Sequence, residues 1–465
     1  MRPRFVFEDL MAISPNIFRQ YDIRGIVGKD LDPRVAHALG RAFAAYLSQR
    51  NIAGAVAVGR DNRPSGKALR DSMVRALNES GVNVIDVGVV PTPLTYWALH
   101  NLPVAASIQI TGSHNPPEYN GFKLCVGPAS LHGEEIQELH TLIQRGNFPA
   151  GSGTTIEQSI IDRYLDDVVA RIGKLSRPLR VVADCGNGAG SLVVPNLLER
   201  LGARVTSLFC ESDGTFPNHH PDPTVVENLH DIIAAVKREG ADIGVAFDGD
   251  ADRIGVIDDR GEIVWGDHVL ILYARDVLAR TKRRAPIIFD VKCSQALPDA
   301  IRAAGGEPVM WKTGHSLIKD KMRELKAPIA GEMSGHMFFA EGFYGHDDAM
   351  YGAARLLRIV ADAGKSVSEL LSDVPKFVST PELRVDCPDE RKFRVVDDAV
   401  RHFRALHEVS DVDGVRVLFG DGWGLIRASN TQPVLVLRFE ARTPERLEEI
   451  RDEFETWLRG QGVAI

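Results

Sequence analysis

Asp248-Gly-Asp-Ala-Asp-Arg253 places three carboxylates at alternate positions directly after the apolar run Ile243-Gly-Val-Ala-Phe247. A chain folds around this pattern when a buried strand delivers the acids to one point at the carboxyl edge of a sheet. Three anions that close repel one another, so the arrangement calls for a neutralising cation. All-oxygen ligands favour a hard cation, and magnesium leads where phosphate is handled. An EF-hand loop fits Asp248, Asp250 and Asp252, but Arg253 stands where that loop needs glycine and Asp259 where it needs a bidentate glutamate. A strand ending in Asp-x-Asp is also compatible with an aspartyl-phosphate nucleophile.

The surrounding chain is of a size and character to hold such a site. Its 465 residues exceed one compact core and suggest about three domains. The net charge of −8 is spread without a long basic run, which argues against nucleic-acid binding. No apolar stretch reaches the roughly 18 residues of a membrane span, so no membrane partner is expected. The five cysteines, at 125, 185, 210, 293 and 387, form no CxxC pair and no zinc spacing, as expected of a reduced, cytoplasmic chain. The N-terminal stretch Met1–Leu10 carries acid and lacks a signal-peptide core, and reads as a short extension.

Apolar strand-like runs alternate with amphipathic helical stretches for most of the length, which predicts α/β layers with largely parallel sheets. Strands are expected at Ala55–Val58, Val82–Val87 and Ala105–Ile110, with a helix from about Ser65 to Ser80. A second unit opens with Arg180–Asp184, a glycine-rich turn and a helix through Leu201, and closes with the triple-Asp strand and its return, Ile254–Asp258. A third opens with strands at Pro286–Val291 and Pro308–Thr313. From about Phe377 onward, Glu/Arg-rich helices flank strands at Gly414–Phe419, Gly424–Ala428 and Val434–Ala441, a smaller α+β domain.

Three segments imitate known motifs. Gly59-Arg-Asp-Asn-Arg-Pro-Ser-Gly66-Lys67 is no P-loop, because six residues separate the glycines and Ala68 stands where a magnesium-binding hydroxyl is needed. Gly186-Asn-Gly-Ala-Gly190 lacks the third glycine of a dinucleotide fingerprint, which falls at Ser191, and reads as a tight turn. His219-His220, between prolines, reads as a turn as well.

Thr111-Gly-Ser-His-Asn-Pro116 ends another predicted strand, and a serine hydroxyl in such a turn is nucleophilic when a base or metal lies beside it. His114 is adjacent in sequence, but neighbouring side chains on a turn are expected to point apart. Lys123 follows, in the alternating stretch Gly121–Val126. These segments, with Tyr21-Asp-Ile-Arg-Gly25, Pro217–Pro223, Gly331-Glu-Met-Ser-Gly-His336 and Arg427-Ala-Ser-Asn-Thr431, resemble the α-D-phosphohexomutase family, and most closely its phosphomannomutase/phosphoglucomutase branch. The resemblance spans about residues 14 to 460 and sets the aspartyl-phosphate reading aside. One departure is small: Ala251 stands where many relatives have glycine.

The resemblance implies three similar α/β domains and a smaller α+β C-terminal domain around a central cleft. The boundaries expected here are an extension at 1–13, a phosphoserine domain at 14–155, a metal-loop domain at 156–259, a sugar-loop domain at 260–372 and a phosphate-loop domain at 373–465. It further implies that Ser113 carries a phosphoryl group and binds Mg²⁺ together with Asp248, Asp250 and Asp252. Arg24, Lys123 and His336 become candidates for general acid/base work. Tyr21, Arg253, Lys292, Thr313, Gly314 and His315 become phosphosugar contacts, Glu332 and Ser334 the sugar-hydroxyl readers, and Arg427, Ser429, Asn430 and Thr431 a cradle for the remote phosphate.

The reaction so implied interconverts hexose 1- and 6-phosphates of glucose and mannose, with hexose 1,6-bisphosphate as intermediate and activator. A mobile C-terminal domain would act as a clamp on that intermediate, and a monomer is the simplest expectation. Met333, where glucosamine-phosphate mutases typically have glutamine, disfavours that sibling activity. An intact Ser113 and triple Asp disfavour a non-catalytic sugar-phosphate-binding scaffold.

Overall fold

The computed structural model describes residues 13–429 and 432–465. The chain divides into two compact units, one running through Gly266 and including Ser334–Leu370, the other formed by Asp267–Met333 and Leu371–Ile465. Among the described residues, no helix is long and apolar enough to cross a membrane.

The first unit holds two mixed sheets. In one, the strand Ala55–Arg60 lies between Val84–Val89 and Val104–Ile110, parallel to both, and antiparallel strands Tyr119–Val126 and Ile23–Ile26 extend the edge. In the other, Arg180–Asp184 lies between Arg204–Leu208 and Ile243–Phe247, again parallel, and Ile254–Ile257 returns antiparallel. All five residues of Ile243–Phe247 are buried. A strand covered on both faces has no polar face to alternate with, which is why it reads as a continuous apolar run.

Most elements lie within a residue or two of their expected places, and the exceptions are informative. Val84–Val89 begins two residues later than its apolar run, because Gly81 (φ +82°) must first turn the chain out of the helix Gly66–Glu79. Tyr119–Val126 does not alternate as expected: its six central residues are all buried, Lys123 included. The strand Ile23–Ile26 was not foreseen. It is too short to show a period, and its pairing of Arg24 with Gly121 is nonlocal.

In the second unit, Pro286–Asp290 pairs in parallel with Glu307–Trp311 on one side and Ile329–Gly331 on the other. The C-terminal sheet is antiparallel throughout, with Val415–Leu418, Gly422–Ala428 and Val434–Ala441 at its centre. Period-two alternation divides its faces. Val415, Val417, Ile426, Leu435, Leu437 and Phe439 pack under the helices Asp389–Arg404 and Pro444–Gly460.

Arg416, Trp423, Leu425, Arg438 and Glu440 occupy the other face. There Arg416 Nη1 donates to the carbonyls of Val291 and Cys293, both at 2.7 Å, and Arg438 Nη1 donates to that of Lys292 at 2.8 Å. The Arg416 guanidinium lies 3.7 Å from the Trp423 ring centroid, and burial pushes its pKa down to about 10. Two buried arginines therefore hold the loop that follows Asp290. Replacing Arg416 by alanine strips the donors from two buried carbonyls. It should lower the stability of the second unit by about 3 kcal/mol in a urea titration and raise amide exchange at residues 291–294.

Candidate active site

Asp248 directly follows the strand Ile243–Phe247, and the turn it opens folds back so that its carboxylate accepts from the backbone. Oδ1 takes the N–H groups of Asp252 (3.0 Å) and Arg253 (3.1 Å). Ala251 sits at φ +57°, the left-handed region in which a Cβ carries a steric penalty that glycine escapes. One carboxylate oxygen each from Asp248, Asp250 and Asp252 lies within 4.8 Å of the others, all three residues being fully buried.

Lys123 is the cation brought to them. Its Nζ lies 3.0 Å from Asp250 Oδ2 and in closer contact with Asp252. Burial alone would lower the pKa of this ammonium, but Asp250 and Asp252 outweigh it and hold the lysine charged. Asp252 is held below the ordinary carboxylate range against the pull of burial, by Lys123 and then His336. Asp248 is pushed well up, by burial and then by Asp252 and Asp250. One ammonium does not balance three carboxylates. Asp250 Oδ1 and Asp252 Oδ1 remain buried with no hydrogen-bond donor among the described residues, and an all-oxygen donor set of this kind fits a hard divalent cation.

Ser113 stands beside this cluster. Its Oγ donates to Asp248 Oδ2 at 3.2 Å and lies 3.1 Å from His114 Nδ1. The expectation that His114 points away is therefore wrong. Ser113 has φ +50°, which swings consecutive side chains to one side of the turn. Burial, then the charges of Arg253 and Arg24, push the His114 pKa well down, so the ring is neutral; its Nδ1 can take the single serine proton only in place of Asp248 Oδ2.

The strained turn is held by the segment that imitated a P-loop. Arg63 donates to the carbonyls of Ser113 (2.8 Å), Asn115 (2.6 Å), Pro116 (2.5 Å) and Tyr119 (3.1 Å). Asp61 Oδ2 accepts from Arg63 Nε (3.1 Å), Thr111 Oγ1 (2.8 Å) and Gly112 N (3.2 Å). Sequence reasoning missed both residues. The signal was there, a polar loop directly after a buried strand, but it was weighed only against a phosphate-binding motif.

Arg24 and His336 reach the same region. Arg24 Nη1 donates to Asn115 Oδ1 at 3.1 Å, and its guanidinium also pairs with Asp22. His336 Nε2 accepts from Arg253 Nε at 3.0 Å, which leaves Nδ1 to carry the ring proton. That nitrogen lies 3.4 Å from Asp347 and 3.6 Å from Asp252. Gly335 makes the approach possible: at φ +94°, an added Cβ would lie 2.3 Å from the Ile254 carbonyl oxygen. Tyr21 and Ser334 belong to this unit and are partly buried.

The other predicted residues belong to the second unit. Lys292 Nζ bonds Glu382 at 3.1 Å and lies 3.8 Å from Asp290. His315 is the buried first residue of the helix His315–Leu325, and the preceding Gly314 N donates to Glu332 Oε1 at 2.7 Å. Asp413, not foreseen, joins two predicted residues: one of its oxygens accepts from Thr313 N (3.0 Å) and from Arg427 Nε (2.9 Å). Ser429 is buried and accepts from Gln432 N at 3.2 Å. Asn430 and Thr431 lie outside the described residues.

Two outcomes follow from these ion pairs. Lys123→Met removes the resident cation and should cost about 3 kcal/mol in chelator-treated protein; a divalent cation should then raise Tm more in the variant than in the parent. Lys292, against the opposing effect of burial, draws the Glu382 pKa down from 4.5 to about 2. A depressed carboxyl stabilises the fold above pH ~4.5 and loses that contribution as pH falls toward 2, so stability should drop across this window. Glu382→Gln should flatten that slope and cost about 1–3 kcal/mol at neutral pH, by urea titrations at several pH values.

Comparison with known proteins agrees along most of the chain. Consecutive stretches match family descriptions of phosphoglucomutase/phosphomannomutase: alpha/beta/alpha domain I at residues 15–150, domain II at 162–261, domain III at 265–377 and the C-terminal domain at 382–456. The chain is 49% identical to a phosphomannomutase/phosphoglucomutase of Pseudomonas putida, over 96% of each. It is 47% identical to a phosphoglucomutase of Neisseria gonorrhoeae, over 96% of this chain and 97% of that one. A crystal structure of a phosphoglucomutase/phosphomannomutase family protein from Burkholderia thailandensis superposes with a TM-score of 0.90 at 45% identity, covering 96% of this chain and 98% of that one.

Proposed function

The chain belongs to the phosphoglucomutase/phosphomannomutase family, and from that premise we propose that it interconverts the 1- and 6-phosphates of glucose and mannose through a phosphorylated Ser113. The observation that carries this reading is the buried Ser113 hydroxyl, 3.2 Å from Asp248 within a cluster of three carboxylates and one ammonium. Four-domain organisation follows the family, with the boundaries expected above.

Asp248, Asp250, Asp252 and the Ser113 phosphate would hold Mg²⁺. When bound, the ion offsets the charge that a phosphoserine dianion adds beside three carboxylates and stabilises charge on the phosphoryl group in flight. Everything else is work for the chain's own groups. Phospho-Ser113 gives its phosphoryl group to the free hydroxyl of a hexose phosphate, leaving the serine hydroxyl and a hexose 1,6-bisphosphate. The bisphosphate turns over, its other phosphoryl group returns to Ser113, and the isomeric monophosphate leaves.

His336 takes the proton of the attacking hydroxyl at Nε2, once Arg253 turns from that nitrogen to the phosphate. Lys123 is held charged, so it serves as a counter-charge and hydrogen-bond donor and not as the base. Arg24 steadies the phosphoryl oxygens. In the second unit Glu332 reads sugar hydroxyls, as does Ser334 in the first. Lys292, Thr313, Gly314, His315 and Tyr21 contact the phosphosugar, and Arg427, Ser429, Asn430 and Thr431 grip the phosphate that is not reacting. Asp413 orients Arg427. The protein works as a soluble cytoplasmic monomer that admits glucose and mannose alike, because C2 configuration is read loosely.

Ser113→Ala should lower turnover by at least about 1,000-fold and take up no label from phosphate-labelled glucose 1,6-bisphosphate, whereas the parent chain gains one phosphate at Ser113 by intact mass. Chelation should abolish turnover and added Mg²⁺ restore it. Mannose 1-phosphate and glucose 1-phosphate should be used in preference to glucosamine 1-phosphate; the opposite ranking would overturn the substrate assignment.

A further inference from the structure

Cys185 follows the strand Arg180–Asp184, and Cys210 lies two residues beyond its parallel neighbour Arg204–Leu208. The register sets Asp184 beside Leu208, and the Cys185 N–H donates to the Leu208 carbonyl at 3.2 Å. As a result the two sulfurs lie 3.1 Å apart, although 24 residues of chain lie between them. Both thiols are free; Cys185 is buried and Cys210 is partly exposed. The chemistry at Ser113 uses neither.

We propose that Cys185 and Cys210 are a modification site: a hydroperoxide closes them to a reversible disulfide, and closure slows turnover at the neighbouring metal loop. The two thiols divide the work. The hydrogen bond with Cys185 lowers the pKa of Cys210, while burial raises that of Cys185. Cys210 is thus the accessible nucleophile and Cys185 the resolving thiol. The Cys210 thiolate attacks one peroxide oxygen, the O–O bond breaks, and a sulfenic acid and an alcohol (or water) result. The Cys185 sulfur then attacks Cys210; the S–S bond forms, and the departing hydroxide leaves as water with the Cys185 proton. Two thiols are oxidised and one peroxide is reduced, and a dithiol reverses the bond by exchange.

Closure from 3.1 Å to the roughly 2.05 Å of a disulfide brings the two sulfurs about 1 Å closer and pulls on the strand ends that carry them. The turn that begins at Cys185 cannot absorb this freely. Asn187 N donates to the Phe209 carbonyl at 2.7 Å, and both residues already sit at positive φ, +58° and +49°. Beyond them Ala189 N donates to Gly249 O at 2.9 Å, and a Cβ on Gly188 would lie 2.7 Å from that same oxygen. Gly249 lies between Asp248 and Asp250, so the shift arrives at the three carboxylates.

The test oxidises the full chain with hydrogen peroxide, alkylates residual thiols in denaturant and maps the peptides. The expected result is a cross-linked Cys185–Cys210 pair, reopened by dithiothreitol, while Cys125, Cys293 and Cys387 stay alkylatable. Turnover should fall severalfold and return on reduction, and Cys210→Ser should be turned over at the parent rate before and after peroxide. Cys185→Ser should stop at a dimedone-reactive sulfenic acid on Cys210; if that variant does not fold, Cys210→Ser carries the comparison. Peroxide that leaves both thiols alkylatable, or drives Cys210 to sulfinic acid with Cys185 free, overturns the site. A disulfide without loss of turnover overturns its coupling to the metal loop. Peptide mapping does not depend on the phosphohexomutase reading, so its outcome and the failure of that reading stay distinguishable.

Discussion

Three fully buried carboxylates and one buried ammonium form a charge cluster around which the first unit is organised. Asp248, Asp250 and Asp252 come from one sheet and Lys123 from another, so the pairing of Lys123 with Asp250 and Asp252 ties the two sheets by charge. Isolated carboxylates at this depth would be protonated or exposed. Lysine supplies one positive charge against three carboxylates, a shortfall that a bound cation would make good. Protonation pressure on Asp248 has the same origin.

The placing of Ser113 depends on this cluster and on a second layer behind it. Ser113 occupies a left-handed conformation that a non-glycine residue adopts at a cost of about 1–2 kcal/mol. Arg63 meets that cost with donors to four carbonyls between Ser113 and Tyr119, and Asp61 orients Arg63 while binding the Gly112 amide. Such backbone clamping explains how a serine and a histidine adjacent in sequence come to share one side of a turn. The second unit uses the same device on a different loop, where Arg416 and Arg438 hold the carbonyls of Val291–Cys293 and so present Lys292.

Much of this was legible in residue order. Ile243–Phe247 announced a buried strand because burial on both faces leaves no polar positions, and the acids after it had to sit at its carboxyl end. Thr111–Pro116 followed a strand in the same way. What could not be read were contacts whose partners lie far apart along the chain. Asp61 and Arg63 lie 50 residues from the loop they hold, and Asp413 lies 100 residues from Thr313. Nothing in the local pattern around Asp413 separates it from the other acids of a surface turn. The Cys185–Cys210 pair is a further case, invisible to a search for CxxC spacing because parallel strands, not a short loop, bring it together.

Sequence alone therefore determined the layers, the strand ends at which polar residues gather and the residue types found there, since burial and periodicity are local properties of the chain. Tertiary structure decided which of those groups touch. It set Lys123 against Asp250 and Asp252, turned His114 toward Ser113, and gave Arg63 and Asp413 their work. The physical reason is that charge pairing and backbone clamping act over a few ångströms in space. Separation along the chain places no limit on them, and sheet register, not sequence distance, selects the partners.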